Sequence, residues 1–382
     1  MTGTVKLQYE KYLPWIALKN VPGVGTYLYK RLIDRFGSPM DVFNAKESEL
    51  KKIKGISSRA VYGIINCNSF DDSRKELNSI EKSGFSIVTM NDPLYPSLLT
   101  YIPDPPAFLS YIGKLDNTYP CISIVGSRKA TSYGLNVASD LGYDLALRGF
   151  QVVSGMARGI DSAAHKGALK AKGKTLAILG TGLGRIYPRE NRQLFYDIAD
   201  KGAVISEFNV KTGPDARNFP IRNRIIAGIS TGTIVVEAAV RSGSLITARL
   251  AVDYGREVFA VPGSIHSFKS MGTHDLLKHG AKLVGNYKDV IEELHHMIHS
   301  EKVLSSAVEK DKKNATRLQP ACNADKYQRA VVDILEPYPQ HIDIIIEKSG
   351  VDAGRVSAAL LDLELKGIIK QSPGKLFYIV EK

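Results

Sequence analysis

Between Cys121 and Val284 short apolar runs alternate with amphipathic stretches. The runs predict strands at Cys121–Val125, Val152–Ser154, Thr175–Leu179, Ala203–Ser206, Thr233–Val236, Val258–Val261 and Lys282–Val284. The stretches between them, including Gly134–Leu147 and Ser162–Lys172, carry apolar positions at helical spacing. Such alternation makes an α/β fold with a doubly wound parallel sheet. Residues 10–70 read instead as short helices broken by glycine turns, and Pro93 to Pro106 is a proline-rich connection. Residues 287–324 lose the alternation and read as a polar linker. Three helical patterns follow, at Gln328–Leu335, His341–Lys348 and Asp352–Lys366, then strands at Gly367–Gln371 and Leu376–Val380 around the turn Pro373-Gly374-Lys375. The predicted domains are therefore an all-α region (1–92), an entry segment (93–120), a Rossmann-like core (121–286), the linker (287–324) and a winged-helix unit (325–382).

The helical region carries a weak internal repeat. Val21-Pro22-Gly23-Val24-Gly25 is echoed 32 residues on by Ile53-Lys54-Gly55-Ile56-Ser57, and each is followed by a helical pattern. This is similar to paired helix-hairpin-helix units, whose hairpin glycines let backbone N–H groups approach a phosphate. Ser57 stands where the motif prefers glycine, so only the first copy is assigned to DNA contact. A purely structural helical domain would show the same shape.

The 382-residue chain has a net charge of +12. Residues 107–286 hold 23 Lys and Arg against 13 Asp and Glu, so nearly all the excess lies in the core; residues 325–382 hold 8 against 9. A basic core suits a polyanionic partner, although a basic soluble domain without one has the same composition. The near-neutral winged helix fits protein interaction or packing at least as well as DNA reading. Cys67, Cys121 and Cys322 are far apart and lack metal-ligand spacing, which points to a reducing cytoplasm and no metal site. No apolar run reaches membrane-spanning length, and no signal-peptide pattern is present, so no membrane insertion is expected.

Ligands bind parallel sheets at the carboxyl ends of the strands. Here those ends carry Gly126-Ser127-Arg128, Ser154-Gly155, Gly180-Thr181-Gly182, Ser206-Glu207, Glu237 and Pro262-Gly263. Gly126-Ser127-Arg128 offers amides, a hydroxyl and a fixed charge before a helix, a suitable phosphate clamp. Gly180-Thr181-Gly182-Leu183-Gly184 lacks the third glycine of a dinucleotide loop and reads as a tight turn. Asp161 and His165, one helical turn apart, read as a helix cap and a packed, hydrogen-bonded histidine rather than an acid/base pair. Glu237 reads either as a catalytic carboxylate or as an ion partner for Arg222 or Arg241.

The densest cluster is Arg217-Asn218-Phe219-Pro220-Ile221-Arg222-Asn223-Arg224-Ile225-Ile226. Proline suits a first helical turn, and the free amides there, with the guanidinium groups, favour an anion. An exposed aromatic beside them would stack on a base. If the helix starts near Pro220, Ile225, Ile226 and Ile229 form the buried face, with Arg222 on it and Arg224 opposite. Arg222 then needs a partner, either Glu207 or Glu237 or a bound phosphate; Arg217, Phe219 and Arg224 become the ligand-contact candidates.

Taken in register, these short motifs resemble the DprA (Smf) family of DNA-processing proteins. The likeness covers Ile124 to about Val284 and includes Gly126-Ser127-Arg128, Ser154-Gly155-Met156-Ala157-Arg158-Gly159-Ile160-Asp161, Tyr187-Pro188, Phe219 to Gly228, Ser242-Gly243-Ser244 and Val261-Pro262-Gly263. It implies single-stranded DNA binding, homodimerisation through the core, and loading of the RecA recombinase during natural transformation, with no cofactor and no turnover. It places Arg128 and Phe219 in the DNA pocket and passes a basic role to Arg217. The expected DNA-binding set is Gly126, Ser127, Arg128, Ser154, Gly155, Arg158, Arg217, Asn218, Phe219, Arg222, Asn223, Arg224, Ser242 and Gly243. The alternative is a nucleotide-cleaving Rossmann-like enzyme using Glu237 and an arginine.

Overall fold

The computed structural model describes residues 9–66, 70–295, 326–332, 334–335, 340–372 and 374–379. They form two compact units, one on either side of the 296–325 segment.

The first unit opens with helices α1 (Leu13–Asn20), α2 (Thr26–Phe36), α3 (Pro39–Asn44), α4 (Glu47–Leu50), α5 (Ser58–Ile65) and α6 (Phe70–Lys82). The turns at Gly23 and Gly55 have φ of +94° and +83°, a region side chains with a Cβ rarely adopt. Ser57 caps α5 by accepting the Ala60 amide at 3.1 Å. Trp15, Leu28 and Leu32 pack with Phe108, Leu179, Phe195 and Ile198 in one apolar cluster, so the helical layer shares a core with the sheet.

The sheet contains β1 (Ser86–Thr89), β2 (Phe108–Gly113), β3 (Cys121–Gly126), β4 (Gln151–Ser154), β5 (Thr175–Ile178), β6 (Ala203–Ser206), β7 (Gly232–Val236), β8 (Glu257–Ala260) and β9 (Lys282–Leu283), in the order β1-β2-β6-β5-β4-β3-β7-β8-β9. Strands β3 to β9 are parallel; β2 runs antiparallel to both β1 and β6. The connecting helices are α7 (Ser132–Leu147), α8 (Ile160–Lys170), α9 (Arg192–Lys201), α10 (Asn218–Ile229), α11 (Gly243–Asp253), α12 (Met271–Lys278) and α13 (Tyr287–Leu294). Ile122 and Ile124 of β3 pack with α7 and α8, while Val125 packs with α10 and α11. Burial on both faces explains the unbroken apolar runs.

Two segments differ from the sequence reading. Residues assigned to the helical domain and entry segment supply the β1–β2 hairpin. Its first strand is only four residues long and the proline-rich stretch separates its strands, so no alternating pattern marks it in the sequence. Within the expected linker, α13 carries a capping box, with Asp289 accepting the Asn286 amide at 3.0 Å, and buries Val290 and Leu294. The remainder of that linker lies outside the described residues. No helix among the described residues is long and apolar enough to cross a membrane.

The second unit is a winged helix. It comprises α14 (Lys326–Val332), β10 (Gln340–His341), α15 (Ile342–Ser349), α16 (Ala353–Leu365), β11 (Ile369–Ser372) and β12 (Leu376–Ile379), with sheet order β10-β12-β11. Val331, Ile345, Val356, Leu360, Leu363, Ile369 and Phe377 form its core.

Candidate nucleic-acid interface

Chain order reverses between β3 and β7, so the connections after these strands leave in opposite directions and open a crevice at their carboxyl ends. The crevice is a cleft of about 590 Å³ with Val125 and Gly126 at the end of β3. Arg128, Tyr187, Ala216, Phe219, Pro220, Asn223 and the start of α11 (Ser242, Gly243, Ser244, Thr247) line it. Asn223 holds the α11 start by donating from Nδ2 to the Gly243 carbonyl at 3.2 Å.

A ridge borders this cleft. The Arg128 guanidinium lies 4.9 Å from the centroid of the Phe219 ring, and the Tyr187 ring packs against Phe219 at 5.9 Å with a 42° tilt. Gly180 makes room for this ring: a Cβ there would fall 2.7 Å from Phe219 Cδ1. Behind the ridge is a smaller cleft of about 160 Å³, lined by Lys129, Gly155, Arg158, Gly180, Thr181 and Pro188. Arg128, Ala157, Tyr187 and Phe219 line both. A half-buried aromatic beside an exposed guanidinium offers a base a stacking surface and a phosphate a charge. Sequence reasoning missed Tyr187 as a site residue; its signal was an aromatic flanked by Arg185 and Arg189 in the loop after β5.

The arginines of the α10 region separate differently from the helical-phase argument. Arg222 is buried, as expected, but its partners are neither Glu207 nor Glu237. Its Nη1 donates to the Ile178 carbonyl, and its charge faces Asp161. A Cβ on Gly155 would lie 1.9 Å from that nitrogen, so any larger residue there would have to displace the guanidinium. Burial pushes Arg222 down to about 10, against the pull of Asp161; it stays charged at neutral pH. Burial likewise raises Asp161, against Arg222 and the amides of Ala157 and Gly155.

Arg224, expected to face the ligand, is also buried. Its Nη2 bonds Glu207 Oε1 at 2.7 Å, and its Nε lies 3.5 Å from Asp104 Oδ2. Helical phase alone gives α10 one buried face. The structure covers a second with the 3₁₀ turn Ser97–Tyr101 and its neighbours, where Leu99 and Ile102 join the cluster of Ile225 and Ile226. Arg217 is exposed but forms an ion pair with Asp215 at 2.7 Å, outside the residues lining either cleft. Asn218 begins α10, with its amide on the Asp215 carbonyl at 3.0 Å.

Arg158 reaches the smaller cleft while paired with Glu190. Ser127 Oγ accepts the Lys129 amide at 3.2 Å, shaping the turn that projects Arg128. Ser154 is buried and donates to the Ile124 carbonyl at 2.6 Å, so it braces β3 and β4 and does not face a ligand. The correction has a simple cause: a small polar residue at a strand end satisfies itself within the sheet when both faces are covered.

Asp161 is not a helix cap. Its Oδ2 accepts the amides of Gly155 at 3.1 Å and Ala157 at 3.3 Å, fastening the loop after β4. His165 is fully buried with Nδ1 2.7 Å from Thr175 Oγ1, and burial pushes it down to about 3, a packed neutral histidine. Glu237 pairs with neither Arg222 nor Arg241. Its carboxylate accepts the Thr131 amide at 2.9 Å and the Thr131 hydroxyl. It lines a separate cleft with Tyr133, Pro262 and Ser264, one that Phe219 does not line.

A sequence profile described as DNA recombination-mediator protein A matches residues 86–295, and one described as the DprA winged helix domain matches residues 315–375. The chain belongs to the DprA/Smf family. The family profile begins at the first residue of β1, in keeping with the hairpin being part of the sheet. Protein Smf of Synechocystis is 33% identical over 94% of this chain and 96% of its own length. DNA processing protein DprA of Bacillus subtilis is 41% identical over 57% of this chain and 74% of its own. Among solved structures, DprA of Streptococcus pneumoniae aligns with a TM-score of 0.64 and 37% identity, covering 77% of this chain and 99% of its own. A Helicobacter pylori DNA processing protein A, described for its single-stranded DNA binding mode, aligns with a TM-score of 0.51 and 31% identity over 57% of this chain and 99% of its own.

Proposed function

We propose that this protein binds single-stranded DNA across the carboxyl edge of β3 and β7 and, as a homodimer, loads a RecA-type recombinase onto the strand during natural transformation in the cytoplasm. The observation that carries this reading is the Arg128–Phe219–Tyr187 ridge between two clefts. Bases stack against the rings while the Arg128 guanidinium holds phosphates. The basic core supports a polyanion, and the solved Helicobacter pylori relative supports the single-stranded form. Exposed apolar side chains at Ile265, Phe268 and Met271, after β8, support self-association through the core. Binding without turnover is the simpler role, because Glu237 is already held by Thr131 and lines a different cleft from the ridge residues.

Competition between single- and double-stranded oligonucleotides of equal length tests the reading, together with recombinase filament nucleation on strands precoated with this protein. Preference for duplex would overturn the binding assignment, and unchanged nucleation would overturn the loading role. Release of free base from nucleotides would instead favour the cleaving enzyme.

A further inference from the structure

The two helical hairpins, alike in sequence, have different surroundings. The first is docked on the core. Gly25 and Thr26 share a small cavity with Pro106, Phe108 and Glu207, and Lys19 donates to the Glu207 carbonyl at 3.0 Å while lying 4.7 Å from the Phe108 ring centroid. Its neighbouring cation therefore serves the fold. The second hairpin is exposed at Lys51, Lys52, Lys54, Gly55, Ser57, Ser58 and Arg59. Between Leu50 and Asp71 the chain holds Lys51, Lys52, Lys54 and Arg59 and no acidic residue. Arg31 adds a fifth cation from α2, with Nη1 on the Lys54 carbonyl at 2.7 Å. Only Lys51 of these has a carboxylate partner among the described residues, Glu47 at 2.6 Å, and both are well exposed. Ser57 Oγ takes the Ala60 amide, while the Ser58 and Arg59 amides lie beyond reach of the α5 carbonyls. Tyr62, 70% exposed, stands one turn after Arg59.

We infer that the second hairpin, Lys51–Arg59 with Tyr62, is a further contact for the phosphates of the single strand held by the core. The inference rests on the single-strand reading above. It reverses the preference for the first copy: both turns reach solvent, but the cations beside the first, Lys19 and Lys30, are spent on backbone carbonyls of Glu207, Thr100 and Ile102, whereas those of the second are unopposed. The cation cluster supplies attraction, the open turn allows close approach of a backbone, and the exposed ring suits an unpaired base.

The test uses full-length protein with Lys52, Lys54 and Arg59 all changed to glutamine; each is exposed, and a melting curve matching the parent verifies folding. Affinity is measured across a salt series for a short strand of about six nucleotides and a long one several times that length. For the long strand the salt slope should fall by about 2, at about 0.7 per lost phosphate contact, with correspondingly weaker binding. The short strand should bind as before. An unchanged long-strand slope, an equal loss on both strands, or a loss confined to duplex DNA would each overturn the inference. Phe219→Ala in parallel separates it from the core assignment: that variant should weaken both strands, and its failure to do so would count against the core site instead.

Discussion

Replacing Phe219 tests the site most directly. The ring is half-buried, seated on Gly180 and braced by Tyr187, so it is ordered before a base arrives. A base stacked on such a surface contributes about 1–3 kcal/mol. Arg128 already lies over the ring, and giving up part of that contact costs about 0.5–1 kcal/mol. The net loss for Phe219→Ala is therefore about 0.5–2 kcal/mol, roughly a two- to thirtyfold rise in Kd. Phe219→Leu keeps apolar bulk over Gly180 without an aromatic face and should lose nearly as much, whereas Phe219→Tyr should bind as the parent does. Fluorescence anisotropy with a labelled oligothymidine across a salt series reads both affinity and slope. No phosphate contact is removed, so the slope should hold. Parental affinity in Phe219→Leu, or a slope reduced as if a cation had gone, would refute the stacking role.

Arg128→Ala should lower the salt slope by about 0.7; Arg217→Ala should do less, because Asp215 already pairs with Arg217, and Asp215→Asn should tighten binding. Equal slopes for the two arginine variants would show that the ion pair does not restrain Arg217. Glu207→Ala strips the buried Arg224 of its main carboxylate and should cost about 3–5 kcal/mol of stability in urea denaturation, with DNA affinity of the folded protein retained. A loss below about 1 kcal/mol would mean that the pair is no more than a surface bridge. His165 is depressed from 6.5 to about 3 by burial, so the unfolded chain takes up a proton that the folded chain refuses. Its contribution is present above about 6.5 and is lost as pH falls toward 3, by at most about 1.4 kcal/mol per unit. His165→Asn should shrink the difference in urea midpoint between pH 7 and pH 5; an undiminished difference would assign that slope to other groups.

Much of the fold was legible because the core strands are buried on both faces and their apolar runs stand out from amphipathic helices. The β1–β2 hairpin was not, since short edge strands around a proline-rich segment have no comparable pattern. Within the site, the Gly126-Ser127-Arg128 turn and Phe219 could be picked out from residue type and strand-end position. Tyr187 was passed over because nothing local brings the loop after β5 against α10. Asp161 reads as a cap by spacing alone, yet its acceptor bonds go back along the chain to Gly155 and Ala157.

By itself the sequence determined the strand-helix alternation, the concentration of positive charge in the core, and the two residue types suited to gripping a strand. Only the tertiary structure decided which arginines are available. Arg222 and Arg224 are alike in local sequence, but one lies over the sheet and the other beneath Asp104 and Glu207. Part of that covering, Asp104, lies 120 positions away in the chain, and helical periodicity describes how side chains share a helix, not what distant chain packs against it. The same holds for the hairpins: similar turns arise from local glycines, while packing on the core engages the cations beside the first, Lys19 and Lys30, and leaves those of the second unopposed in solvent.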